Sequence, residues 1–263
     1  MHVPQGRPEA VLRPRRAEQA ITVERVAASP VLAPFVDYHW YVGWRTPEPH
    51  RQQVVPQPRV HVAAEHGRLW VHGVSREPFH RTIEGTGHTL GAAFHPGGFR
   101  PLLGRNVGSI AGRVVPAAEL LGLDDRPVAE RVLGGADVPE MVAALEAYFE
   151  DLRPEPDPVV DRVRQLVATA EAEHGLTRAE DLAVRGGMGM RSLQRLFTDY
   201  VGIGPKWVIS RFRILDAAAA AHGGEPVDWA ALAAELGFSD QAHLTRAFTA
   251  VVGSPPATYA REA

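Results

Sequence analysis

One pattern occurs twice between residues 183 and 256, and it constrains the fold more than any other feature of the chain. Ala183, Gly187, Leu193, Arg195, Phe197, Gly202 and Pro205 have counterparts in Ala233, Gly237, Leu244, Arg246, Phe248, Gly253 and Pro256. The offset is 50 before the turn and 51 after it, so the second turn carries one extra residue. Each copy reads as a short helix with a small alanine at a helix crossing, a glycine turn, and a second short helix with a Leu-x-Arg-x-Phe core. That is the signature of a helix-turn-helix unit. Gly204-Pro205 opens a longer connecting helix with Val208, Phe212, Leu215 and Ala219 as its inward positions, closed by His222-Gly223-Gly224. At 1.5 Å per residue this helix would span roughly 25 Å.

The helical half begins after Arg153-Pro-Glu-Pro-Asp-Pro158, where three alternating prolines favour extended backbone. Asp157 supplies a cap and Pro158 sits where its missing N–H does no harm. Val159, Val160, Val163, Leu166, Val167 and Ala170 then form one apolar stripe, ended by Gly175. Thr177-x-x-Glu180 fits a capping box for a helix carrying Leu182 and Ala183. Gly186-Gly187 stops that helix, and another is expected from about Met190 to Tyr200 with Leu193, Leu196 and Phe197 inward.

The first half reads differently. Residues 21 to about 123 are rich in aromatic and β-branched residues broken by Gly and Pro. Strands are expected at Phe35–Trp44, Val54-Val55, Arg59–Ala63, Arg68–Val74 and Thr89–Phe94, as in a sandwich or barrel. From Pro116 the pattern turns helical. Met141, Leu145, Tyr148 and Phe149 make an amphipathic helix of Val138–Leu152, which serves either to cover the β-domain or to dimerise.

The 263 residues contain no cysteine, which excludes disulfides, cysteine zinc sites and a thiol nucleophile. Met1–Ala20 has no apolar core and reads as a loose arm rather than a signal peptide. No run of apolar residues is long enough for a membrane span, and a cytoplasmic location is expected. Eight of the twelve histidines lie between His39 and His95. None forms a His-x-His pair, and His61 with Glu65 and Glu84 with His88 show helical spacing in a region that is not helical, so no metal site is expected. His95-Pro-Gly-Gly-Phe99 lacks the lysine of a phosphate loop and reads as a tight turn.

Met190 to Phe197 with Gly202 and Pro205, then Leu232 to Phe248 with Gly253, Pro256 and Tyr259, resemble the DNA-binding domain of the AraC/XylS family. The second repeat matches closely; the first has Gly189 where a capping serine is usual. The resemblance covers about 105 residues. It implies base-facing positions at Arg191, Gln194 and Arg195 on the first recognition helix, and at Gln241, Ala242, His243, Thr245 and Arg246 on the second. Arginine can grip guanine, and glutamine adenine, through two hydrogen bonds. Lys206, the only lysine, is expected at a phosphate. Net charge is −3, which argues against DNA binding unless positive charge is clustered. From Arg185 to Arg213 six basic residues (185, 191, 195, 206, 211, 213) face one acid, Asp199, whereas Glu225 to Ala263 holds five acids and two arginines. The first unit is therefore expected to supply most of the phosphate attraction.

Gly91 to Phe99, Pro101-Leu-Leu-Gly104, Pro34-Phe-Val with Trp40, and Val55-Pro56 resemble the β-rich N-terminal domains of some AraC-like regulators. Within this domain Tyr38, Trp40, Tyr41 and Trp44 either form a core or line a small-molecule pocket; an effector would contact Trp40, Trp44, His61 or Phe94. The expected fold class is α+β: a β-rich N-terminal domain, then an all-α tandem helix-turn-helix domain. The divisions are an arm at 1–20, a sensor or dimerisation domain at 21–152, a linker at 153–158 and a DNA-binding domain at 159–263, with its two units at 177–202 and 228–253.

The implied function is sequence-specific transcription regulation, without enzymatic activity or cofactor. The implied partners are double-stranded DNA, a small-molecule effector, a second copy of the chain and, for an activator, RNA polymerase. The alternatives are a non-sensing architectural DNA-binding protein and an enzyme fused to a DNA-binding module. Against the enzyme stand the missing cysteine and the lack of a Gly-x-Ser-x-Gly elbow or His-Glu-x-x-His.

Overall fold

The computed structural model describes residues 21–222 and 227–262, so the expected N-terminal arm at 1–20 and the Gly223-Gly224 stop lie outside the described residues. Six strands form one antiparallel sheet: β1 (Ile21–Ala27), β2 (Val36–Val54), β3 (His61–Glu65), β4 (Arg68–His72), β5 (Phe79–Phe94) and β6 (Val114–Pro116). Their spatial order is β1-β2-β5-β3-β4-β6. Alternation along the strands gives the sheet two faces. Val62, Ala64, Leu69, Val71, Leu90, Ala92 and Phe94 are fully buried against helices. The other face carries Tyr38, Trp40, Val42 and Trp44 around a cavity.

The expected strands are present with different ends, and two features differ more widely. β1 was not anticipated, and the central hairpin runs on to Val54 and Phe79. Pro47 and Pro49, which cannot donate to a ladder, fall where the β2–β5 register slips between Thr46 and His50. Prolines are tolerated at such a bulge, so they interrupt the pattern without ending the strand.

The helical cover of the sheet comprises α1 (Arg100–Leu103), α2 (Ala117–Leu121), α3 (Arg126–Gly134) and α4 (Val138–Asp151), with a 3-10 turn at Val107–Ile110. Met141, Leu145, Tyr148 and Phe149 of α4 are buried beneath the sheet, so this face covers the β-domain and is closed to a second chain. Phe149 packs edge-on to Phe94 at 5.3 Å. Glu146 ties α4 to the sheet, accepting from the Ser29 amide at 2.7 Å and lying 2.9 Å from His39 Nε2.

After an extended stretch, α5 (Pro158–Ala172) starts with Asp157 accepting from the Val159 amide at 2.9 Å. Then come α6 (Ala179–Arg185), α7 (Met190–Tyr200), α8 (Pro205–His222), α9 (Trp229–Glu235), α10 (Gln241–Val252) and α11 (Pro256–Glu262). The repeat read in the sequence is a repeat in the backbone. Gly187 and Gly237 take φ of 61° and 76° in the two inter-helix turns, and Gly202 and Gly253 take 90° and 85° after the second helices. Ala183 and Ala233 are buried at the helix crossings. The expected capping box at Thr177 and Glu180 does not form: Arg178 is the cap residue and makes no side-chain cap bond. Thr177 instead packs against the turn of the other unit, where a Cβ on Gly237 would lie 2.4 Å from its Cβ.

The two halves share one continuous core. The Tyr200 hydroxyl donates to Asp157 at 2.6 Å, and Arg100 Nε reaches Asp199 at 3.3 Å. Gly97 lies against Val163, and Gly202 against Val107.

Gly237 has both a left-handed backbone and no room for a side chain, so Gly237→Ala is expected to destabilise the protein by about 2 kcal/mol. Urea unfolding of the variant beside the parent measures this. An unchanged midpoint would mean that the Thr177 contact yields freely.

Candidate nucleic-acid interface and cavity

The two second helices of the repeat, α7 and α10, hold the residues expected at bases. Leu193 and Phe197 anchor α7, and Leu244, Phe248 and Val252 anchor α10, all buried. The opposite face of each helix is open. Arg191, Gln194 and Arg195 are exposed on α7, and Gln241, Ala242, His243 and Arg246 on α10; Thr245 is half-buried. Lys206 is exposed in the first turn of α8. The start of α10 is held by Asp240, which accepts from the His243 amide at 2.7 Å; this bond, foremost, holds its carboxyl below the usual range. The His243 ring lies 3.2 Å from the Ser239 hydroxyl and edge-on to Phe238 at 5.2 Å, so it packs locally while still facing solvent.

The charge count of the first unit needs correction. Arg211 and Arg213 are 3% and 1% exposed, so two of the six basic residues point inward. Arg213 is held between the Ala170 carbonyl and Asp216, and Arg211 donates to the Arg76 carbonyl at 3.0 Å while stacking over Trp207. Burial pulls the Arg211 pKa down to about 10, still well above neutrality. Arg185 pairs with Glu173 at 2.9 Å. The cations this segment offers to solvent without a carboxylate within salt-bridge distance among the described residues are Arg191, Arg195 and Lys206.

The cavity lies on the far face of the sheet and measures about 340 Å³. Trp40, Trp44 and His61 line it, together with Tyr38, Arg25 and Arg59. Phe94 does not: it faces the helices, packed edge-on against Phe99 and Phe149. The two tryptophans fit because each lies across the sheet from a glycine, Trp40 from Gly91 and Trp44 from Gly87. A Cβ at Gly91 would come within 2.5 Å of the Trp40 ring, and one at Gly87 within 2.6 Å of the Trp44 ring. Glycine in a strand marks close approach, and the matched spacing of four in both strands is the sequence signal that was available for this wall. His61 stands near Trp40, ring centres 6.3 Å apart, with its pKa lowered to about 3, by burial first and then by the charges of Arg59, His72 and Arg25. Among the described residues no cluster of metal-ligating side chains occurs, and no helix is long and apolar enough to cross a membrane.

Two helix-turn-helix units hung on one connecting helix, with open second helices, define a DNA-binding transcription regulator. Residues 182–262 match the family described as Helix-turn-helix domain, and residues 24–116 match the Domain of unknown function DUF6597. The chain thus joins an AraC-type helix-turn-helix domain to an N-terminal domain of that second kind. Among solved structures, it is similar to ToxT from Vibrio cholerae in its P21 crystal form at 10% identity, with 92% of this chain and 98% of that chain covered and a TM-score of 0.43. It is also similar to unsaturated fatty acid-bound ToxT from Vibrio cholerae strain SCE256 at 9% identity, with 91% and 94% covered and a TM-score of 0.38. No curated protein matches the chain.

His39, His61, His72 and His95 all have lowered pKa values, with burial the leading cause. In the unfolded chain their imidazoles take up protons near pH 6.5, while the folded protein resists. The unfolded state then binds more protons, so stability is level above about pH 7 and falls as pH drops from about 6.5 toward 5. His61 alone accounts for a slope of up to about 1.4 kcal/mol per pH unit. Urea midpoints of the parent and His61→Gln between pH 7.5 and 5 check this; equal slopes in the two proteins would contradict the assignment to His61.

Proposed function

We propose that α7 and α10 enter successive major grooves on one face of a duplex, about 34 Å apart, and that the cavity is a small-molecule sensor whose occupancy reaches these helices. The base-reading role rests on the open face of α7, where Arg191 and Arg195 extend from a helix anchored behind by Leu193 and Phe197. Arg191→Ala and Arg195→Ala are each expected to cost about 1–3 kcal/mol, confined to one or two base positions. Lys206→Ala is expected to weaken all sequences alike and to reduce the salt slope by about 1. Binding assays on sites selected from random duplexes, repeated at several salt concentrations, distinguish the two behaviours. A uniform loss for either arginine removes it from base reading.

One observation carries the sensing role: a single patch of backbone lies between the cavity and the DNA-binding domain. The loop after β4 and the segment before β6 are clamped together, the Gly73 amide donating to Arg113 at 3.0 Å and the Gly112 amide to Val74 at 2.9 Å. A Cβ on Gly73 would lie 1.9 Å from the Ile110 carbonyl oxygen, so the two segments are in close contact. On one side Val74, Ser75, Glu77, Gly112 and Arg113 line the cavity. On the other, the Arg76 carbonyl accepts from Arg211 of α8 at 3.0 Å, Gly108 meets Thr198 of α7, and Val107 meets Gly202. A ligand that shifts this patch shifts the seats of α8 and of the C-terminal end of α7 together.

Hydrogen exchange tests the route. On binding a selected duplex, residues 73–78 and 107–114 are expected to change protection, and Arg211→Met is expected to abolish the change at 73–78. Unchanged exchange in both segments on saturation with DNA would reject it.

A further inference from the structure

We propose that the cavity takes an apolar, ring-sized molecule carrying a single negative charge, with the charge lodged at the end formed by Tyr38, Trp40, Arg59 and His61; this rests on the sensing role proposed above. The apolar body follows from the walls. Trp44, Val42 and Ile83 line the volume of about 340 Å³, which lies within the range of small-molecule pockets and suits one or two fused rings.

The charge follows from the donors. Trp40 Nε1 and Arg59 Nε are both buried without a hydrogen-bond partner. An indole N–H and a guanidinium N–H can only donate, so each lacks an acceptor. A buried donor left unmade costs about 1–3 kcal/mol, and more on a charged group, and an oxyanion seated at this end would relieve that cost at whichever donor it reaches. The rest of this end agrees in sign. Arg59 uses Nη1 on Asp37 and leaves Nε over; its Cζ lies 5.6 Å from the Tyr38 ring centre, and that of Arg25 lies at 4.4 Å. His61 is neutral at physiological pH because burial and these arginines oppose a further positive charge. The groups that titrate or carry charge toward this site are Arg25, Arg59, His61 and His72, with Asp37 and Glu65 as the carboxylates beside them. Of the carboxylates here, Asp37 is taken up by Arg59 Nη1, and Glu65 by Arg81 at 3.0 Å and His72 at 3.7 Å. A cationic ligand would meet arginines and spare donors, and a neutral hydrocarbon would leave both donors unmade.

A matched pair of dyes tests the sign of the charge on the full chain. 8-Anilinonaphthalene-1-sulfonate and N-phenyl-1-naphthylamine share a skeleton and differ by the sulfonate, and both brighten in apolar surroundings. The anionic dye is expected to bind at least tenfold more tightly than the neutral one. Trp40→Phe, which keeps an aromatic ring and removes only the N–H donor, is expected to weaken the anionic dye about threefold or more and leave the neutral dye unchanged. Arg59→Gln is expected to abolish the preference. Trp44→Ala, at the apolar end, is expected to weaken both dyes. Equal binding of the two dyes, or an anionic preference untouched by both Trp40→Phe and Arg59→Gln, overturns the proposed charge while leaving a sensor cavity intact. Binding of both dyes indifferent to Trp44→Ala would instead show that they do not enter the cavity, and the sensing role would fall with it.

Discussion

A helix that is apolar on nearly every side must be wrapped on every side, and α8 imposes this requirement on the rest of the molecule. Val208, Ile209, Phe212, Ile214, Leu215, Ala217, Ala218 and Ala221 are all buried, positions that cannot fit a single face at 3.6 residues per turn. The C-terminal half supplies most of the wrapping, through α5, α6, α7, α10 and α11. What remains is closed near Arg211 by the loop after β4. Both units therefore hang from a rod whose sheath includes part of the N-terminal domain. Separating the domains would expose buried apolar surface and break the bond from Arg211 to the Arg76 carbonyl.

This arrangement explains which part of the sequence was legible. A repeat reports local chemistry: Gly187 and Gly237 need left-handed backbone, Leu193 and Leu244 need a core, and each requirement lies within a few residues of its cause. The second-helix boundaries and the interior of each unit could be read for that reason. Arg211 and Arg213 were misjudged because a count of charge along the chain cannot tell a basic residue facing DNA from one facing a carbonyl 135 or 43 residues away. Thr177 shows the same limit. Its spacing from Glu180 satisfies a local rule, yet its side chain is taken up by the turn of the other unit.

The β-domain was harder to read because its determinants lie across strands. Trp40 alone is compatible with core or pocket; Trp40 opposite Gly91 in register means an indole lying flat on the sheet. Phe94 belongs to the opposite face, and only the pairing of β5 with β2 and β3 reveals this. The expected strand stopped at Trp44, but the register slip absorbs the prolines at 47 and 49 and the hairpin continues. In each case the missing information was a register, which a single chain read along its length does not contain.

The two-faced sheet also makes sense of where the domains touch. Its helix-covered face is filled by Phe94, Phe149 and Leu145, all fully buried. The other face holds the cavity, and the glycines at 87 and 91 let the Trp44 and Trp40 rings lie flat along its wall. The loop after β4 and the segment before β6 border that hollow, and the same stretch of chain carries the contacts with α7 and α8. The docking is also unequal. Gly202 of the first unit rests on Val107, whereas its repeat counterpart Gly253 is exposed. The contacts of the β-domain therefore fall on α7 and on α8, while the second unit is joined to the first through α8 and through Thr177 at the Gly237 turn.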